Sequence, residues 1–225
     1  MRIPGALTCP HCGAPTERRA PACAWCRGPL AWAPALPLEP LLPCDDQWVL
    51  SRGGPPGQGA GTEFQTTDHG CLFRLDPEVA RWVTLPGATR HGVVGIRART
   101  ADPAGGFGLL ARVSSTGTVR MGYALTVRPD ARAFRLGRLL QDDRRNVAYD
   151  VLQDWTTTTA VPPLGEWCTA ELRFADTAIE VWLGGTRAAR HTDGAFGYGL
   201  CGWRIGAWDG PAEVEVAEVW RGSLR

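Results

Sequence analysis

Much of the chain alternates apolar and polar positions with a period of two. Val94, Ile96 and Ala98 point one way and Arg97 and Arg99 the other; Ile179, Val181 and Leu183 likewise oppose Glu180 and Trp182. Short β-prone runs of this kind cover 82–85, 93–99, 108–113, 121–127, 133–139, 170–174, 179–183, 200–205 and 213–220, generally separated by Gly, Pro, Asp or Asn. No comparable stretch repeats at 3.6 residues. Many antiparallel strands with one dry face each close into two packed sheets. The pattern predicts an all-β antiparallel sandwich over 45–225, with Trp82, Trp167 and Trp203 at core positions. The alternating Glu213-Val-Glu-Val-Ala-Glu218 run reads as a half-buried edge strand that closes the domain.

Residues 1–30 follow a different logic. Cys9-Pro-His-Cys12 and Cys23-Ala-Trp-Cys26 are two Cys-x2-Cys knuckles ten residues apart, with Gly13 and Gly28 placed to let each knuckle turn. Four thiolates at that spacing fit a closed tetrahedral zinc site, so Cys9, Cys12, Cys23 and Cys26 are the expected ligands of a structural Zn2+. So short a segment cannot bury enough apolar area to fold alone, whereas zinc ligation can hold it. His11 is left to solvent. The knuckles resemble those of the zinc-ribbon family, a resemblance confined to residues 9–30 that specifies the metal site and no single function. Trp25, packed under the second knuckle, suits a protein-docking module. Arg2, Arg18, Arg19 and Arg27 against Glu17 keep nucleic acid open as a less favoured partner.

Between these parts, at 31–44, Pro34, Pro37, Pro40 and Pro43 recur every third residue. Polyproline II has three residues per turn, so this segment is expected to be a spacer. Leu36, Leu38, Leu41 and Leu42 are apolar enough that part of it should lie on the sandwich.

The order of the sandwich runs resembles the concanavalin A-like (laminin-G-like) jelly roll. The matching stretches are His91-Gly-Val-Val-Gly-Ile-Arg-Ala-Arg99, Gly106-Phe-Gly-Leu-Leu-Ala-Arg112, Tyr123 to Asp130, Leu152-Gln-Asp-Trp-Thr156 and Gly165-Glu-Trp167. Ile179 to Gly185, Asp193-Gly-Ala-Phe196 with Gly199 and Gly202, and Ala212 to Val216 complete it. Gly184-Gly185 stands where the family usually has Asn-Gly in a hairpin, and glycine keeps that turn permitted. The resemblance implies the fold and a tendency to bind sugars or proteins, without fixing either.

The Glu213–Glu218 spacing mimics the catalytic strand of family-16-type glucanases. However, Glu215 replaces Asp, and the run lies on the last strand instead of mid-domain. His69, His91 and His191 are isolated, so the keto-disaccharide hydrolase branch of the fold gains no support, and no catalytic residue is assigned. Cys44, Cys71, Cys168 and Cys201 lack ligand spacing and are expected as buried free thiols. For binding, Trp182 should project from its strand, and Trp155 and Trp208 lie at turns, offering flat apolar platforms. Arg97, Arg99, Arg112 and Arg128 are read as outward positions forming one guanidinium row suited to carboxylate or phosphate.

Net charge is +1, which gives no global field to recruit nucleic acid or anionic lipid. All 24 basic residues are Arg, as a GC-rich bacterial genome would produce. With no signal-peptide-length apolar core, no stretch near 18 apolar residues, and thiolates best kept reduced, the expected location is cytoplasmic and off the membrane. The composite expectation is a non-catalytic adaptor whose ribbon docks on a protein partner or larger assembly, with glycan binding or cleavage as the alternative. Elemental analysis of the full-length protein should find one zinc per chain, lost in Cys23→Ser; a metal-free chain contradicts the site.

Overall fold

The computed structural model describes residues 62–222 and 224, except 86, 117–118 and 142–146, together with 7–8, 14–16, 25, 39–41 and 50–53. The strands are β1 (Leu7–Thr8), β2 (Pro15–Thr16), β3 (Glu39–Leu41), β4 (Leu50–Gly53), β5 (Thr62–Thr67), β6 (Gly70–Leu75), β7 (Ala80–Thr84) and β8 (Gly92–Arg99). They continue as β9 (Gly105–Thr116), β10 (Val119–Arg128), β11 (Ala133–Gln141), β12 (Val147–Thr157), β13 (Cys168–Ala175), β14 (Ala178–Leu183), β15 (Thr186–Thr192), β16 (Leu200–Ala207) and β17 (Ala212–Gly222).

Two antiparallel sheets form the sandwich. One has seven strands in the order β12-β11-β10-β9-β16-β7-β4; the other has eight, ordered β15-β14-β13-β8-β17-β6-β5, with β3 also pairing to β17. The period-two alternation is realised in both. Val94, Ile96, Ala98, Ile179, Val181 and Leu183 meet Leu109, Tyr123, Leu125, Phe134, Trp203 and Ile205 in one core between the sheets. Burial of this apolar area, at about 25 cal/mol per Å2, is the main stabilising term. The β14–β15 hairpin turns through Gly184 and Gly185, both at positive φ, as a two-glycine turn allows.

Two expectations change. The Glu213–Glu218 run is not an edge: β17 lies between β8 and β6. A bulge between Val216 and Glu218 shifts its phase, so Val214, Val216 and Val219 face the core while Glu215 and Glu218 share the outer face. Within the proline-spaced segment, Glu39–Leu41 is hydrogen-bonded as a strand to Val219–Arg221, so part of it lies on the sandwich as its leucines required. Cys71 is disulfide-bonded, whereas Cys168 and Cys201 are buried free thiols, each pushed up to about 12 by burial.

The loop after β15 is tied to the seven-stranded sheet through Asp193. Tyr123 Oη donates to Asp193 Oδ1 at 2.5 Å, the Ala195 N–H donates to the same oxygen at 2.9 Å, and Arg138 pairs with Oδ2. Burial alone would raise this carboxyl, but the bonds from Arg138, Tyr123 and Ala195 hold it below its usual range; Tyr123 is pushed up to about 12, chiefly by burial. Glu215 is likewise lowered, hydrogen bonds from Thr67 and Arg99 outweighing burial. Carboxyls lowered by folding contribute stability that is complete above their unfolded values near 4 and is lost as pH falls through the folded values. Thermal melts should therefore fall below about pH 4. Asp193→Asn should remove part of that acid limb and lower stability at pH 7 by about 2 kcal/mol; an unchanged acid limb contradicts the assignment.

Candidate functional site

The arginines expected to form one row occupy three different environments. Arg97 and Arg99 stand on the outer face of the eight-stranded sheet, stacked on Trp167 at 5.1 and 4.5 Å from the ring centroid. Both are ion-paired, Arg97 to Glu218 at 2.9 Å and Arg99 to Glu215 at 2.7 Å. Trp167 is thus a half-buried outer-face residue, not core. Arg112 points inward, with 0% of its surface exposed. The bulge in β9 places it at φ +53°, and its guanidinium donates to the carbonyls of Phe196 (2.9 Å) and Arg90 (2.8 Å). Strict alternation fails at such a bulge, which is why the outward reading was wrong. Burial lowers the Arg112 pKa.

Trp182 does face outward on β14. Arg173 lies 3.8 Å over its ring, and its indole N–H donates to Glu180 at 3.0 Å. Glu180 also receives Arg187 and Arg190 at 2.8 and 3.2 Å. The outer face of the eight-stranded sheet is therefore a lattice of matched charges. Trp25, expected beneath the second knuckle, is 75% exposed, while Cys9, Cys12, Cys23 and Cys26 lie outside the described residues.

The outer face of the seven-stranded sheet is built differently. Cross-strand register sets Trp82 opposite Arg204, Arg204 opposite Gly108, Gly108 opposite Thr126, and Thr126 opposite Arg135. Directly opposed residues share a face, so these five form one row across β7, β16, β9, β10 and β11. Gly108 is a required gap: a Cβ there would come within 1.9 Å of the Leu125 carbonyl oxygen. Arg204 reaches across that gap to within 3.5 Å of Thr126 Oγ1. At the other end, Arg135 is stacked between Tyr149 and Trp155, 4.3 and 4.8 Å from their centroids. Its buried Nε has no hydrogen-bond partner among the described residues.

Aromatic rings lie flat on this face because glycines make room. A Cβ on Gly137 would sit 2.3 Å from the Tyr149 ring, and one on Gly106 the same distance from the Trp208 ring. Tyr149 Oη donates to the Ala124 carbonyl of β10. Arg128 lies 5.8 Å from the Trp155 centroid and 5.3 Å from that of Trp208, bringing these two sequence-predicted residues together, and is paired with Asp130 at 2.7 Å. Trp155 is within β12 rather than at a turn and is 38% exposed. Trp82 is buried, but in a second apolar cluster with Leu110, Ala124 and Leu139, apart from the main core. Desolvation lowers the Arg204 pKa, and the neighbouring Arg135 charge acts in the same direction.

Arg135, Arg204 and Tyr149 escaped the sequence reading. A signal was present: Phe134-Arg-Leu136 and Trp203-Arg-Ile205 each place an arginine between two inward-facing apolar residues.

Neither a protein-family model nor a curated protein matches the sequence. Solved structures do match in shape. The carbohydrate-binding module CBM66 from Bacillus subtilis superposes with a TM-score of 0.56 at 13% identity, covering 77% of this chain and 95% of that one. A Bacillus subtilis protein of unknown function with a galectin-like fold gives 0.60 at 12%, covering 86% and 99%. A native glycosidic hydrolase gives 0.55 at 10%, covering 79% and 90%. These likenesses establish the jelly-roll sandwich.

The fully buried Arg112 and the half-buried Arg204 should respond oppositely to truncation. Arg204→Met removes a desolvated cation that has no counter-ion among the described residues, so its Tm should be unchanged or higher. Arg112→Met removes two charge-assisted bonds and should lower stability by about 2–3 kcal/mol. A large Tm loss in Arg204→Met contradicts the contrast.

Proposed function

We propose that the chain is a carbohydrate-binding protein whose sugar site is the outer face of the seven-stranded sheet. The observation that carries this reading is the set of rings laid on that face, Tyr149, Trp155 and Trp208, each beside a guanidinium or over a glycine. Flat aromatic faces match the apolar faces of pyranose rings, and the adjacent arginines supply hydrogen-bond donors. Likeness in shape to a carbohydrate-binding module and to a glycosidic hydrolase supports the same reading.

Binding without hydrolysis is the form we favour. A retaining glycosidase needs two carboxyls about 5 Å apart. Asp130, Asp150 and Asp193, the carboxylates paired with arginines of the seven-stranded sheet, are engaged by Arg128 and Arg138. The Glu213, Glu215 and Glu218 ladder is on the opposite sheet, each member matched to Arg74, Arg99 or Arg97. Glu215 is held ionised, the reverse of what a general acid requires.

The N-terminal knuckles remain, on our reading, a structural zinc module serving as a docking element for a partner protein. The pairing of Leu7–Thr8 with Pro15–Thr16 supports this, since it closes a hairpin around Cys9 to Gly13, where a knuckle would turn.

A glycan array probed with full-length protein should give positive features that Trp155→Ala and Trp208→Ala each reduce at least about tenfold, the loss expected when a stacked ring is removed. Trp182→Ala should not reduce them. Sugar binding lost in Trp182→Ala alone would move the site to the other sheet.

A further inference from the structure

Many arginines of this protein are matched to carboxylates, and the buried Arg112 and the Arg132 of the β10–β11 turn are met by backbone carbonyls instead. Arg74, Arg97, Arg99, Arg128, Arg138, Arg173 and Arg187 each hold a carboxylate within ion-pair distance. Arg135 and Arg204 hold none among the described residues, yet both are half-buried and stand on the same cross-strand row. Removing a guanidinium from water without supplying an anion is unfavourable, so the row is completed by an anion from outside.

Its shape indicates the kind of anion. The Arg135 guanidinium is held against the Tyr149 and Trp155 rings, and a guanidinium can take two oxygens of one planar or tetrahedral group. Arg204 stands opposite Gly108, whose backbone packs closely against Leu125, and lies within 3.5 Å of the hydroxyl of the buried Thr126 between the two arginines. Trp155 abuts Arg135, so a ring stacked there would carry its acidic substituent toward the pair. A nucleic-acid strand offers a repeating line of phosphates, which calls for a long stripe of unmatched cations; this row has two, on a chain of net charge +1.

We propose that the seven-stranded face recognises an acidic glycan, its carboxylate or sulfate received by Arg135 and Arg204 across Gly108 and Thr126. This rests on the carbohydrate reading and narrows it to charged sugars.

Titration calorimetry on the full-length protein tests it with four probes: tetragalacturonate, a sulfated carrageenan tetrasaccharide, neutral galactotetraose and a single-stranded DNA 12-mer. At least one acidic tetrasaccharide should bind about tenfold or more tighter than galactotetraose, and its binding should weaken with added salt. The tighter of the two identifies carboxylate or sulfate as the group read. Arg135→Gln and Arg204→Gln should each erase the preference, while Arg97→Gln on the opposite sheet leaves it intact. Near-UV circular dichroism reports folding. Because the two arginines are on different strands, Arg135→Gln carries the test if Arg204→Gln disturbs the fold. Equal affinity for acidic and neutral sugars, or a preference that survives both substitutions, overturns acidic recognition and leaves carbohydrate binding standing. Absence of binding to all three sugars overturns both readings. DNA bound more tightly than either acidic sugar, and lost in the same variants, replaces the glycan with nucleic acid.

Discussion

Residues directly opposite each other on an antiparallel sheet stand about 5 Å apart, so register decides which charges can cancel. A guanidinium that finds no carboxylate across the strand must take an aromatic face, a carbonyl or water instead. Arginine supplies every basic side chain in this protein, and the two outer faces differ in how that demand is met. On the eight-stranded sheet, β17 carries Glu213, Glu215 and Glu218 into reach of Arg74, Arg99 and Arg97. The bulge near Ala217 is what keeps Glu215 and Glu218 on one side while the valines stay in the core. On the seven-stranded sheet the positions opposite Arg204 and Arg135 are Gly108 and Thr126, which neutralise nothing.

That asymmetry ties the fold to the proposed function. A matched lattice stabilises modestly and presents no unmet demand to a ligand. On the proposed reading, the unmatched pair on this aromatic-walled row sacrifices stability for recognition, as binding sites commonly do. The loops around the row are fixed from within: Asp193 joins the turn after β15 to Tyr123 and Arg138, and Arg112 holds the backbone at Arg90 and Phe196. Both anchors lie beneath or beside the seven-stranded sheet, so its outer face is carried on a braced support.

The period-two pattern made the sandwich legible, because each of its clearest runs has a single dry face. Val94, Ile96 and Ala98 against Arg97 and Arg99 folded as their alternation required. Polar strands such as β5 and β15 carry little apolar signal and were not read from the pattern; they pair because β6 and β14 need neighbours. Bulges defeated the reading elsewhere, since one extra residue reverses every later position: Arg112 turned inward for that reason. The candidate site was harder still. Trp155, Trp208 and Arg128 are far apart in sequence and meet only through strand order, and the importance of Arg135 and Arg204 comes from what stands opposite them. Periodicity within a strand reveals which side a residue faces; it does not reveal the partner across the gap.

The most direct measurement follows the arginine side chains themselves. In a 15N-labelled sample titrated with tetragalacturonate or the sulfated tetrasaccharide, the Nε–Hε resonances of Arg135 and Arg204 should shift saturably with the more tightly bound sugar. Those of Arg97 and Arg99 should stay in place. Saturable shifts confined to Arg97 and Arg99, with Arg135 and Arg204 unmoved, would contradict the account.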